Sequence, residues 1–474
     1  MADGGNLSGA SPGNASGSQQ WRALTAVLLG VALATLDTAI ANTALPAIAA
    51  DLHAVPAKSI WVINAYQLAV VASMLPFAAL GDLVGPRRIF LGGLILFTAS
   101  SLVCALVGTL PLLAAARALQ GIGAGALMSV NIALIRLIYP PERLGRGVGM
   151  NALVVGIGFA VGPSVASLVL AVASWQWLFG INVPLGLLAL AFAWPAIPQR
   201  EAKANNRFDF DGLTALLTAV SFAALIFTLA SIAQQESASI VLPSLVVAVV
   251  SLVCLLKRQA GHPAPMLPVD LLRRPLFALS VVTAIAAFTT QGLGFVALPF
   301  YFEQVLHRDP VHTGFLMSAW PVVVAAAGPI AGRLSDTYKP GILGGIGLAI
   351  LCVGMAALAL LPQTVPVPLI VVCMGICGAG FGLFQAPNLK ALMSAAPPER
   401  SGGASGMIGV SRLMGQTSGA ALVALCFHFQ GVEGSMTALS LGAVTAGLAS
   451  VASLARLWVG APAESAANSA SVTD

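Results

Sequence analysis

The sequence predicts an all-α integral membrane protein with 14 transmembrane helices, arranged as two pseudo-symmetric six-helix bundles plus two inserted helices. Three observations predict it: too little charge for a water-soluble domain, apolar runs of bilayer length, and a segment that occurs twice. The 474 residues are 58% hydrophobic and 8% charged, with a mean hydropathy of +0.92, against about 25% charged in soluble domains. The apolar runs last about 20 residues, the length of a helix that crosses hydrocarbon; barrel strands would be shorter and alternating. Six cysteines all fall in apolar runs and form no CxxC pair, so they read as reduced packing residues with no metal among them.

The elements follow in order. Residues 1–20 are rich in Gly, Ser, Asn and Ala and read as a disordered tail. They lack the basic start of a signal peptide. Spans then lie near 21–44, 58–80, 88–108, 110–137, 144–172 and 175–195. Two more lie near 211–232 and 239–257, and the last six near 276–303, 311–334, 341–361, 366–393, 400–428 and 436–458. Residues 459–474 form a second small-polar tail.

Charge fixes the orientation. With both termini in the cytoplasm, the cytoplasmic ends hold Arg22, Arg87, Arg88, Arg136, Arg143, Arg146, Arg200, Lys203, Arg207, Lys257, Arg258, Arg273, Arg274, Arg333, Lys339, Lys390, Arg400 and Arg456. The opposite side holds Lys58 and Arg308. Basic residues stay on the cytoplasmic side, so the N- and C-termini are expected there.

The repeat appears on sliding the chain by 257 residues. Gly121, Gly123 and Gly125 fall on Gly378, Gly380 and Gly382; Asn131 falls on Asn388; PPER at 140–143 falls on PPER at 397–400; and Gly158 and Gly162 fall on Gly415 and Gly419. Bundles of six helices at 21–195 and 276–458 follow, with 211–257 inserted between them and expected to stand outside the transport path. Two like halves around a central cavity are the architecture of alternating-access carriers.

Three charges lie inside spans: Asp37, Arg117 and Arg412. An ionised group in lipid is costly unless it faces a cavity or a partner. Asp37 and Arg117 each lie about seven residues from the outer ends of their spans, roughly 10 Å deep at 1.5 Å per residue. The plain alternative is a static ion pair holding two helices together. Arg412 and Arg117 have no charged counterpart in the repeat, where Val155 and Met374 stand.

Several motifs resemble the major facilitator superfamily, in its branch of fourteen-span drug:proton antiporters. LDTAIANTALP in the first span, ALGDLVGPRR (79–88) after the second, RALQGIGAG (117–125) in the fourth, GIGFAVGPSVAS (156–167) in the fifth, WQWLFGINVPLG (175–186) before the sixth and GRLSDTYKP (332–340) carry the resemblance. Departures are Ala78, Leu83 and Pro86 in the loop, and Ala166 with Ser167 at the end of the fifth-span motif.

The resemblance implies a major-facilitator fold in a bacterial cytoplasmic (inner) membrane. It also implies a proton-coupled antiporter exporting lipophilic, mostly cationic compounds, with export of an anionic or neutral metabolite as the alternative. Spans one and four line the cavity in this superfamily, so Asp37 and Arg117 become the proton-coupling pair. Burial favours the protonated carboxyl and a neighbouring arginine the ionised one, so proton and cargo compete for Asp37. Candidate cargo contacts are Asp37, Asn42, Asn64, Tyr66, Gln67, Asn131, Gln291, Trp320, Gln385, Asn388, Arg412 and Gln416. Phe384 is a further aromatic candidate. Asp82, Arg87, Arg88 and Asp336 read as conformational-switch loops. Gly156, Gly158, Gly162 and Pro163 read as close packing and bending of the fifth span, and Glu303 as a cation-attracting group at the outer mouth.

Partners are then the bilayer, small-molecule drugs or metabolites, and protons, with no nucleic acid, a monomeric state and no cofactor beyond the proton gradient. The chain shows no phosphate-binding loop and no nucleophile constellation, which argues against an enzyme. A receptor would need a signalling domain larger than either tail. Asp37, Arg117 and Arg412 sum to +1, which sets the cationic preference against the interior charge.

Overall fold

A computed structural model describes residues 17–139, 144–198, 211–233, 236–259, 269–362, 364–397 and 401–458. All regular structure among them is helical. The first set is α1 (Gly17–Asp51), α2 (Pro56–Ser59), α3 (Trp61–Val84), α4 (Pro86–Leu106), α5 (Leu110–Ile138), α6 (Leu144–Val172), α7 (Gln176–Gly180) and α8 (Asn182–Ala196). Two inserted helices follow, α9 (Gly212–Ala233) and α10 (Ala238–Gln259). The second set is α11 (Val269–Leu272), α12 (Pro275–Phe300), α13 (Pro310–Thr337), α14 (Pro340–Ala359), α15 (Val367–Ser394), α16 (Ser401–Gln430) and α17 (Gly434–Ala455).

Twelve candidate spans among the described residues are long and apolar enough to cross a membrane, where the sequence predicts fourteen. The difference has two sources. In α9 only the stretch Gly212–Leu225 counts, as a shorter apolar helix. The helices α16 and α17 meet through a single 3-10 turn, Gly431–Glu433, and form one apolar stretch, Gly406–Ala455. The first helix begins at Gly17, inside the stretch expected to be a tail. The expected tail beyond residue 458, the PPER segments past Tyr139 and Pro397, and Arg143, Arg200, Lys203, Arg207 and Arg400 lie outside the described residues.

Local chemistry sets the boundaries. Proline opens α2, α4, α12, α13 and α14, where its missing N–H is harmless. The turn between α3 and α4 passes through Gly85 at φ 94°, a conformation that favours glycine. At the far end of α12, Pro299 removes a backbone donor, and the helix continues as a π-turn over Tyr301–Val305.

The repeat is visible as equivalent packing. Gly121 lies against the Tyr66 carbonyl of α3 and Gly123 against the Phe97 amide of α4; an added Cβ would stand 2.3 and 2.6 Å from those atoms. In the second set Gly378 lies against the Trp320 carbonyl of α13 and Gly380 against the Leu351 amide of α14, at 2.5 Å each. Small residues let membrane helices approach until their backbones touch. Each set therefore builds its core on a glycine-lined central helix, α5 or α15. The two apolar cores are centred on Phe90, Phe97 and Leu127 in the first set, and on Trp320, Phe381 and Met355 in the second.

A third cluster joins the sets. Ile40, Ala44 and Ile48 of α1 pack with Leu293, Val296 and Phe300 of α12 and Ala420 of α16. These residues lie toward the end of the bundle opposite Arg22, Arg88, Arg136 and Arg333, here called the distal face; the arginine-bearing end is the basic face. The sets also touch where α6 meets α13: Ser164 and Ser318 share a hydrogen bond of 2.8 Å, and Gly314 sits against the Pro163 carbonyl and Ser167. Toward the basic face the burial stops. Residues 62–71 of α3 are almost all buried, while 72–80 all keep exposed surface. In α13 the change comes after Pro321. The halves close distally and part toward the basic face.

Candidate functional site

Asp37 sits on the inward side of α1 and is 1% exposed. Arg117 of α5 is also 1% exposed, and its Nη1 lies 2.5 Å from Asp37 Oδ2. The other carboxylate oxygen is occupied too. Gln120 Nε2 and Asn182 Nδ2 each donate to Asp37 Oδ1 at 2.9 Å. Gln120 further donates to Ser101 Oγ at 2.7 Å and accepts from Arg117 Nη1 at 2.5 Å. Arg117 Nε donates to the Val62 carbonyl at 3.2 Å. Side chains of α5 and α8 thus converge on the α1 carboxylate, with Ser101 of α4 holding Gln120 and α3 supplying the carbonyl.

Aromatic rings close the site. The Arg117 guanidinium carbon stands 4.1 Å from the centre of the Tyr66 ring and 5.4 Å from that of Phe179. Cation–π contact of this kind strengthens when water is excluded. Tyr66 is anchored in turn, its hydroxyl donating to the Ala34 carbonyl at 3.3 Å. A buried ion pair is tolerable only when its remaining lone pairs and protons are satisfied, and here both carboxylate oxygens are.

Other expected contacts divide into three groups. Gln67 joins the halves, since Thr417 Oγ1 of α16 donates to Gln67 Oε1 of α3 at 3.0 Å, while Gln416 Nε2 donates to Gln291 Oε1 of α12 at 2.9 Å inside the second set. Asn131, Asn388, Trp320 and Phe384 are packing residues inside one half. Asn131 donates to Asn151 Oδ1, and Trp320 is fully buried edge-on against Phe295. Asn388 accepts from Arg456 Nη1 at 2.8 Å. Arg456, counted in the sequence among the loop cations, is 4% exposed and also donates to Ser280 and Ser453. Asn42 and Asn64 are buried, with the Asn42 Oδ1 and both polar atoms of Asn64 lacking hydrogen-bond partners. Gln385 is exposed on α15.

Arg412 is partly exposed, lies within electrostatic reach of Tyr66, and makes no hydrogen bond or ion pair among the described residues. Glu303 lies on the π-turn at the distal end of α12 and is partly buried.

The expected switch loops are tied within their own halves. Arg87 Nη2 donates to the Trp194 carbonyl of α8 at 2.5 Å, and Arg88 is exposed. Asp336 pairs with Lys390 of α15 at 2.7 Å; the Asp82 side chain lies outside the described set. Gly158 and Gly162 lie against Thr35 and Ala39 of α1, whereas Gly156 has open space beside it. Pro163 presents its carbonyl to Gly314 across the seam. Outside the spans, Arg258 beside Asp211, with Thr214, holds the Asp211 carboxyl well below the usual carboxylate range.

Sequence reasoning missed Gln120, Asn182 and Ser101. Gln120 follows Arg117 by three residues and shares its face, which is a readable signal. Asn182 sits in a motif that marks the entry to a helix and carries no charge, so nothing singled it out.

A family model described as the Major Facilitator Superfamily matches residues 27–424. The chain belongs to the major facilitator superfamily. Within the superfamily it is 48% identical over 440 residues to the Uncharacterized transporter YebQ of Escherichia coli (strain K12), covering 93% of this chain and 96% of the relative. It is 30% identical over 385 residues to the Riboflavin transporter RibZ of Clostridioides difficile, covering 81% and 83%. Multidrug resistance protein Stp of Mycobacterium tuberculosis is 29% identical over 405 residues, covering 84% and 74%. Among solved structures, a peptide transporter POT in complex with sulfate matches at a TM-score of 0.72 and 15% identity, over 93% of this chain and 95% of that one. A bacterial homolog of the human lysosomal transporter Spinster, in an inward-facing conformation, matches at 0.69 and 13%, over 95% and 100%. At these identities the two structures speak for the superfamily fold alone. The chain is a multi-pass membrane transporter of the superfamily.

Proposed function

We propose that the protein is a proton-coupled secondary exporter of small lipophilic molecules, acting by alternating access with Asp37 as the proton carrier. The observation that carries this reading is a buried carboxylate inside a span whose one ion-pair partner among the described residues is Arg117. A proton added to Asp37 removes the charge that holds Arg117. The guanidinium then keeps the Val62 carbonyl, Gln120 and the rings of Tyr66 and Phe179. Tyr66 lies on α3, one residue before the Gln67 that bonds α16 of the other half. A change in the pair therefore reaches the seam between the halves through one ring, and a seam with two arrangements is what alternating access requires. If cargo and proton stabilise opposite arrangements, each weakens the other's binding, which is antiport.

The basic face is then the cytoplasmic one, and the opening toward it receives cargo from the inner leaflet or the cytosol of a bacterial inner membrane. The multidrug and riboflavin names of relatives support a lipophilic or flat cargo. Among the described residues the cationic preference drawn from the family resemblance finds no free carboxylate at this pair, because Asp37 is held by Arg117. The lone charge left over is Arg412.

The test is efflux from proteoliposomes across an imposed pH gradient, with ethidium, riboflavin and fluorescein as cationic, neutral and anionic reporters. Wild-type protein is expected to move at least one of them only while the gradient stands. Asp37→Asn is expected to insert normally and lose gradient-driven efflux, and wild-type rates from that variant would remove Asp37 as the carrier.

A further inference from the structure

Arg412 is the one mid-span charge that the antiport reading leaves unused. Its guanidinium carries five N–H donors, and none of them meets an acceptor among the described residues. It keeps reachable surface although its neighbours on α16, Gly409 and Thr417, both meet α3 of the other half, so it stands between the halves. That combination describes a side chain lining a cavity between the halves. A guanidinium left alone in hydrocarbon is strongly disfavoured, so the position makes sense only if water or an anion reaches it.

Its surroundings say where the cavity lies. On α16, Gly409 stands one turn below Arg412 and touches Met74 of α3; Gln416, one turn above, bonds Gln291 of α12. Next to Gln416, Thr417 bonds Gln67 of α3. Arg412 therefore sits on one half, within electrostatic reach of Tyr66 on the other, on the basic side of the contact that holds the halves together. Asp37 is no partner for it, since both Asp37 oxygens are taken by Arg117, Gln120 and Asn182.

We propose that Arg412 is the counter-charge for an anionic group on the cargo, and that the protein exports small lipophilic organic acids in their ionised form. This deepens the export reading above and rests on it. The planar guanidinium matches a carboxylate or sulfonate with two parallel hydrogen bonds. The Met74 side chain beside Gly409 supplies an adaptable apolar wall for the body of the molecule. A cation placed here would meet Arg412 and an already neutralised Asp37, and would be repelled. An anion bound to Arg412 would lie beside the ring that covers Arg117, which places cargo and proton carrier on either side of Tyr66.

The experiment is equilibrium binding in lipid nanodiscs, without a gradient, using dansylglycine and its neutral amide, with empty nanodiscs subtracted. The two probes share one aromatic body and differ in charge. Wild type is expected to prefer the anion by about tenfold or more, the worth of charge-assisted hydrogen bonds. Arg412→Gln is expected to abolish the preference while keeping affinity for the amide, and Arg412→Lys to recover part of it. Equal affinity of wild type for the two probes overturns the proposal, even if the Gln variant fails to fold. So does a preference that survives Arg412→Gln. Asp37→Asn separates the two readings: it is expected to keep the preference for dansylglycine. Efflux that persists in Asp37→Asn with the binding preference intact would sink the antiport reading and leave the anion site standing.

Discussion

Asp37 shows how much of a membrane carboxylate's environment is neutral. Charge made Asp37 and Arg117 legible, because an ionised group in an apolar run demands an explanation. Gln120 and Asn182 make no such demand, yet they fill the oxygen that Arg117 leaves free. Gln120→Leu removes donors to Asp37 and Ser101 and an acceptor for Arg117, all of them buried. The variant is expected to cost about 1–3 kcal/mol, the usual penalty for unsatisfied buried polar atoms, read as a lower melting temperature in detergent. Its efflux is also expected to shift in pH dependence, because one partner of the ionised carboxylate is gone. A variant with wild-type melting and an unchanged pH profile would exclude Gln120 from the support of the pair. Several aromatic and amide positions expected to meet cargo pack against neighbouring helices in the structure. Trp320, Asn131 and Asn388 have polar atoms in spans, and the sequence does not distinguish a residue turned to a cavity from one turned to a neighbouring helix.

Among the helices, the inserted pair departs furthest from expectation. The 257-residue repeat locates 211–257 outside the duplicated halves and leads to the expectation that both helices stand apart from the transport path. In the structure α9 packs on α3 of the first set and α16 of the second. Phe222 touches the apolar clusters of both, and the Phe227 ring lies tilted against Trp61 with centroids 5.7 Å apart. Both helices also turn apolar residues outward, Leu213, Leu216 and Ile232 on α9 and Leu242, Val246, Val249 and Val250 on α10. A repeat tells where a chain was interrupted but carries no record of which surface the inserted segment covers. Because α9 lies across the line where α3 meets α16, its packing changes whenever the halves move. Phe222→Ala is therefore expected to lower the maximal efflux rate severalfold with little change in the cargo concentration needed for half-maximal rate. A change confined to expression level, with normal turnover per molecule, would return α9 to the role of a passive flank. The glycines of α5 and α15, by contrast, mark the repeat in the sequence, and the structure adds their purpose, the close approach of neighbouring helices.

For the whole molecule, the two halves form a body closed at the distal face and open at the basic one. Ser164 and Ser318 bond across the closed side at 2.8 Å, and Gly314 admits the Pro163 carbonyl where any larger residue would clash. In a chain cleared of its own cysteines, Ser164→Cys with Ser318→Cys is expected to form a disulfide under oxidation. The disulfide should stop efflux, and a reductant should restore it. Transport that continues through an intact crosslink would mean that these helices do not separate during turnover. The Asp37–Arg117 pair has a last consequence, which concerns membrane voltage. Since the two charges cancel, the unloaded pair crosses the membrane field without electrical work, and only what it carries is felt, at about 2.3 kcal/mol per elementary charge per 100 mV. One proton moved inward against one cation moved outward would be electrically silent. One proton inward with one organic anion outward moves two positive charges inward, and a membrane negative inside drives both steps. The current carried per turnover therefore reports the sign of the cargo, even before the cargo itself is known.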